Sequence, residues 1–248
     1  MSVEETTSSG VTSVIPLESN PQVFTDFGHK LGLSPLLSFF DIYSITEPEL
    51  LSFLPRPVNA IVLLFPITEK YEDFKNSEES DQQISFKHNE NITWFKQLLK
   101  NSCGLYALLH SICNLPSGLI VNQSKLHSFV EELSSGSFSE SSDEISQCIV
   151  NLSLPLYNIY SREGDTAHPD AEEDVILHFI CYVRGNDNHY YELDGRRNGP
   201  VDLGAEPNPE LDLIDSEVVT NRIKTYMDMA DEENKYNFAM MGLGPNFD

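Results

Sequence analysis

Apolar and polar positions divide this chain into a few strongly patterned segments separated by polar stretches. Val23, Phe24, Phe27 and Leu31 recur at helical spacing, with Asn20 placed as a cap and Pro21 at the first helical position, so a helix is expected over Asn20–Leu31. Glu47-Pro48-Glu49 followed by Leu50, Leu51 and Leu54 predicts a short helix that Pro55-Arg56-Pro57 stops. Ala60–Phe65 is apolar without alternation and ends at Pro66, the pattern of a strand buried on both faces. Leu105, Leu108, Leu109 and Ile112 fall at i, i+3, i+4 and i+7. They put one buried stripe on a helix that Asn101 or Ser102 caps and that runs to about Asn114. Val175–Val183 reads as a second buried strand, and Gly185-Asn186-Asp187-Asn188 turns it into His189–Leu193, a hairpin. An amphipathic helix at about Ser216–Met229 and a short apolar segment, Phe238–Leu243, complete the series.

The intervening stretches are polar. Residues 1–13 are expected to be a disordered tail, and 69–91, with few apolar anchors, a mobile loop. Six of the ten residues Ser134–Asp143 are serine, which marks another flexible loop, and 157–174 reads as a third. No internal repeat or domain boundary stands out. Residues 14–248 are therefore expected to form a single α+β domain.

Charge changes the picture more than composition does. Against 15 Lys and Arg stand 39 Asp and Glu, a formal net charge of −24. Such a field opposes nonspecific binding to nucleic acid or an anionic membrane and favours a basic protein or peptide partner. Four cysteines are too few for a disulfide-built scaffold, no secretory signal precedes them, and the apolar runs are too short to cross a bilayer. A cytoplasmic protein with free thiols is expected.

Among those thiols Cys103 stands apart, because it opens its predicted helix, where free N–H groups and the positive dipole end stabilise a thiolate. Cys113, at the other end of that helix, and Cys148 and Cys181 read as packing residues. A thiolate nucleophile needs a base. His110 lies seven residues further along the helix, roughly 10 Å away at 1.5 Å per residue, too far for direct contact. His29, His88, His127 and His168 read as solvated, whereas His178 stands inside the apolar strand. A three-residue turn at 185–187 sets His178 directly opposite Asp194, where the carboxylate could orient the ring. A four-residue turn moves Asp194 to the other face. Zinc is the rival use of His110/Cys113 and His178/Cys181, but i and i+3 on a strand point to opposite faces, and no metal or other cofactor is expected.

These residues resemble the papain-like ubiquitin carboxyl-terminal hydrolases. The family's glutamine and its N-x-C-G-x-x-A-L-x-H helix appear as Gln97 and Asn101-Ser102-Cys103-Gly104-Leu105-Tyr106-Ala107-Leu108-Leu109-His110. Its L-H-F-I and E-L-D-G strands appear as Leu177-His178-Phe179-Ile180 and Glu192-Leu193-Asp194-Gly195, and its N-terminal motif as Pro16-Leu17-Glu18-Ser19-Asn20-Pro21. The order and spacing agree from about residue 14 to the C-terminus, most closely with the compact fungal form. Many relatives carry Ala and Thr where this chain has Ser102 and Leu105. The resemblance implies a papain-like cysteine peptidase fold: a central antiparallel sheet flanked by helices, and a loop near 158–174 crossing over the active site. It implies catalysis by Cys103, His178 and Asp194, with Gln97 stabilising the oxyanion, although Gln97 by itself reads as a surface helix residue. It further implies contact of ubiquitin with Pro16, Leu17, Val175 and Leu177. The expected enzyme is a monomeric thiol hydrolase that removes small adducts or unfolded extensions from ubiquitin's C-terminal glycine. The same chemistry on a Rub-type modifier, or an inactive ubiquitin-binding module, are the alternatives.

Overall fold

The computed structural model describes residues 13–81, 91–116, 118–135, 142–164, 176–208 and 210–247. The helix expected at Asn20 forms as α1 (Pro21–Leu31), and the Asn20 side chain accepts from the N–H groups of Gln22 and Val23. It ends at Gly32, whose φ of 131° suits glycine, and a Cβ there would meet Ser124 Oγ at 2.3 Å. The short helix forms as α2 (Pro48–Ser52).

Six strands form one antiparallel sheet: β1 (Leu37–Asp41), β2 (Ala60–Pro66), β3 (Leu177–Arg184), β4 (His189–Leu193), β5 (Val201–Ala205) and β6 (Ala239–Pro245). The spatial order β1-β6-β2-β3-β4-β5 puts the two continuous apolar runs, β2 and β3, side by side at the centre. Both faces of these strands are covered, which is why neither shows polar alternation. Ala60, Val62, Phe179 and Cys181 point to one core, shared with α1 and α4 (Cys103–Cys113). Ile61, Leu63, Phe65, Ile180 and Tyr182 point to the other, shared with α7 (Glu217–Met229). Helix α4 carries the expected stripe but is buried all round, including His110 and Ser111.

Three stretches differ from the sequence reading. Residues 69–81 are a helix, α3 (Glu69–Asp81), started by Thr68, whose Oγ1 accepts from the Tyr71 N–H at 3.2 Å; the rest of that expected loop, 82–90, lies outside the described residues. Two helices went unread, α5 (Lys125–Ser134) and α6 (Ser142–Tyr160). They take up both ends of the serine-rich stretch and the first four residues of 157–174, leaving 136–141 and 165–174 outside the described residues, as are 1–12 of the tail.

The hairpin turn also differs. Gly185 N–H bonds to His189 O at 2.8 Å and Asn188 takes φ 63°, so the turn residues are 186–188. Leu193 therefore pairs with Cys181 and Arg184 with Tyr190. Continued past the strand end, this register sets Asp194 against Ile180 rather than His178. The slip from the expected register is two residues, so Asp194 keeps the face that His178 occupies.

Candidate active site

The site lies at the margin of the sheet, because its members belong to opposite faces. Cys103 opens α4, which packs on one face against Phe179 and Cys181, whereas His178 follows the alternation of Ile180 and Tyr182 on the other. They can meet only where β3 begins. Asn101, at φ 63°, turns the chain into the helix, and Gly104 lets its first turn press on Leu17 and Phe179, where a Cβ would meet Leu17 Cβ at 3.0 Å. Ser102 does not cap α4 with its side chain; its Oγ donates to Leu99 O at 2.7 Å. The first-turn N–H groups are thus left without a side-chain acceptor beside the cysteine.

The electrostatics single out one thiol of four. Burial works to raise Cys103, but hydrogen bonding and charge from His178, with a backbone bond at Phe179, bring it below the ordinary thiol value. Cys113 and Cys181 have no such neighbour, and burial pushes each up to about 12. Cys148 is raised by burial and by Glu132. All four are free thiols.

His178 is 2% exposed, and its Nε2 meets Asp194 Oδ1 at 2.7 Å, which leaves Nδ1 for the thiol. Burial opposes its charged form, yet Asp194 and the Cys103 sulfur raise it to about 9. Asp194, wholly buried, would be raised by burial alone. The charge and hydrogen bond of His178, the Arg196 N–H at 2.8 Å and the Tyr71 hydroxyl at 2.8 Å hold it well below the usual carboxylate range instead. Raised imidazole and lowered thiol together favour a thiolate–imidazolium pair.

Gln97 sits in a segment outside any helix or strand, not on a surface helix. Its backbone N–H bonds to Gly195 O at 2.9 Å, and a Cβ on Gly195 would meet Gln97 Cβ at 2.8 Å, so the glycine after Asp194 permits this approach. Gln97 Nε2 donates to Leu99 O at 2.9 Å, which leaves its second hydrogen for another acceptor. Gln97, Cys103 and His178 line a cleft of about 370 Å³ with Pro16, Ile67, Leu98, Leu99, Lys100, Asn101, Leu177 and Arg196. Of the expected partner contacts, Pro16 and Leu177 border this cleft, Leu17 is 5% exposed in the core, and Val175 lies outside the described residues.

The remaining histidines separate cleanly. His110 is buried, stacks on Phe95 and accepts the Phe95 N–H on Nε2 at 3.0 Å, and burial lowers it to about 4. His29 is half-buried against Leu37 O at 2.8 Å rather than solvated, and His127 pairs with Glu131. His88 and His168 lie outside the described residues. The reading of the sequence missed Tyr71 and Arg196. The Thr68 cap three residues before Tyr71 was an available helix signal.

Comparison with known proteins agrees with this geometry. Residues 14–228 match the model of the family described as ubiquitin carboxyl-terminal hydrolase, family 1. The chain is 47% identical over 240 residues to ubiquitin carboxyl-terminal hydrolase YUH1 of Saccharomyces cerevisiae, covering 95% of this chain and 98% of that protein. A ubiquitin carboxyl-terminal hydrolase of Drosophila melanogaster is 33% identical, covering 92% and 96%. The fold is similar to that of the Trichinella spiralis UCH37 catalytic domain bound to ubiquitin vinyl methyl ester, with a TM-score of 0.69, 20% identity and coverage of 94% and 95%. The family match and the identities to these enzymes together establish that the chain belongs to the family 1 ubiquitin carboxyl-terminal hydrolases, cysteine-type ubiquitinyl hydrolases.

Proposed function

We propose that Cys103 is the nucleophile, His178 its base and then acid, Asp194 the residue that orients the imidazole, and Gln97 an oxyanion donor. The observation that carries this reading is the lowered Cys103 thiol facing an imidazole raised to about 9, itself bonded to a buried carboxylate. The substrate is the C-terminus of ubiquitin, the partner in the related Trichinella spiralis complex, carrying a small adduct or an unfolded extension. The Cys103 thiolate adds to the carbonyl of the terminal glycine. The oxyanion takes hydrogen bonds from the Cys103 N–H and from the Gln97 amide. The His178 imidazolium gives its proton to the leaving amine as the C–N bond breaks, and a thioester remains. Neutral His178 then takes a proton from water, whose oxygen attacks the thioester, and the thiolate leaves.

Residues 14–248 are taken as one catalytic domain acting as a monomer in the cytoplasm, a reducing compartment that suits four free thiols. The test is hydrolysis of a ubiquitin C-terminal fluorogenic amide. Cys103→Ala should lose turnover by more than about 10⁴-fold while still binding ubiquitin, and Cys113→Ala should stay near the parent. Turnover retained in Cys103→Ala would end the thiol mechanism.

A further inference from the structure

Asp194 is held by more than its histidine. Its Oδ1 receives His178 Nε2 at 2.7 Å and the Arg196 N–H at 2.8 Å, and its Oδ2 receives the Tyr71 hydroxyl at 2.8 Å. Tyr71 is 1% exposed and comes from α3. Its ring is wedged edge-on against Phe65 (4.8 Å between centroids) and Tyr226 (5.4 Å). The helix that carries it is tied to the segment after Asp194 from several points. Glu72 meets Arg196 at 2.6 Å, Glu78 meets Arg197 at 2.9 Å, and Glu79 accepts the Asn198 N–H at 3.0 Å. The ring cannot drift away from the carboxylate without breaking these ties.

We propose that Tyr71 is a positioning residue for the reaction, fixing the Asp194 carboxylate by its second oxygen so that the first stays aimed at His178. This rests on the catalytic roles proposed above. A carboxylate rotates about one side-chain bond, and the two donors on Oδ1, His178 and the Arg196 N–H, resist that rotation from one oxygen only. With Oδ1 and Oδ2 both bonded, the plane of the group is set. Without the phenol, Oδ2 is a buried oxygen with no other hydrogen-bond donor among the described residues, and the carboxylate gains by turning toward a new one. His178 then loses part of the pull that keeps it protonated. The other charged or titratable groups that act on Asp194 are Cys103, Lys96, His110 and the Arg196 side chain. None of them has a hydrogen bond to Oδ2.

Tyr71→Phe removes one oxygen and keeps the ring in place. Tyr226→Phe is the control, because it removes a neighbouring hydroxyl that donates to Glu192 at 2.7 Å and not to Asp194. For Tyr71→Phe we expect kcat on a ubiquitin amide to fall about tenfold with KM unchanged. The high-pH limb of kcat/KM, where His178 loses its proton, should move to lower pH. Tyr226→Phe should leave KM, kcat and that limb with the parent. Added to Asp194→Asn, Tyr71→Phe should cost nothing further. The proposal is overturned if Tyr71→Phe leaves kcat and the limb unchanged, if the limb moves upward, if Tyr226→Phe has the same effect, or if the two losses add. An inactive Asp194→Asn beside a fully active Tyr71→Phe sinks only the role of Tyr71. A fully active Asp194→Asn sinks the catalytic assignment with it.

Discussion

The two faces of the sheet are held by different chemistry. On the α4 side, Leu105, Leu108, Leu109 and Ile112 are all within 1% of full burial and pack on Phe179, Cys181 and Leu193. The α3 side adds a buried carboxylate to an apolar core of its own. Glu192, wholly buried, meets Arg222 at 2.7 Å and Arg197 at 3.2 Å, and Arg222 reaches on to Glu78 at 2.6 Å. Tyr182 and Tyr226 donate to the same glutamate, and the Arg222 guanidinium lies over the rings of Phe74 and Tyr226. Apolar packing gives α4 a firm seat with little directionality. Ion pairs and phenol hydrogen bonds fix angles as well as distances. The difference matches what each face delivers: one thiol at a helix start, against an imidazole and a carboxylate that must be aimed.

Breaking the ionic side should have the larger effect. Glu192→Ala removes the wholly buried one of the two carboxylates that Arg197 and Arg222 share, leaving them the more exposed Glu78, and should cost about 3–5 kcal/mol in urea unfolding. It should also alter the emission of Trp94, the sole tryptophan, whose Nε1 donates to Asp194 O at 3.0 Å. Leu108→Ala on the apolar side should cost about 2–5 kcal/mol according to how far the cavity closes. A larger loss of stability from Leu108→Ala than from Glu192→Ala would erase the distinction between the faces. At the small end, Glu131→Ala removes an exposed partner of His127 and should change stability by less than about 0.5 kcal/mol.

This contrast also explains what was legible in the sequence. Elements that bury apolar side chains announce themselves: α1 through its cap and its Val23–Leu31 face, β2 and β3 through their continuous runs, and β4 through its turn. Helix α3 does not, because it is tied down by Glu72 and Glu78 to arginines and by Glu79 to Asn198, all more than a hundred residues away. A polar segment whose partners are distant in sequence looks solvated. The same holds within the site. Cys103 and His178 betray themselves locally, by a helix start and by an imidazole inside an apolar strand. Gln97 was found through family resemblance alone, since its place depends on the approach to Gly195. The sequence left the face of Asp194 open between a three- and a four-residue turn; the turn has three residues, and although the register is two residues from the one that such a turn suggested, the face is the same because side-chain alternation has a period of two.

The central claim is that His178 converts a buried cysteine into a thiolate. The direct measurement is the rate of Cys103 alkylation by iodoacetamide against pH, in the parent and in His178→Ala. In the parent the thiolate should form below the ordinary thiol range of about 8.5. The imidazolium that stabilises it persists until pH rises through about 9. In His178→Ala, burial acts without its counterweight, so the midpoint should move above that ordinary range, toward the behaviour of Cys113 and Cys181. A parent midpoint at or above the ordinary thiol value, or a midpoint that His178→Ala leaves in place, would contradict the account.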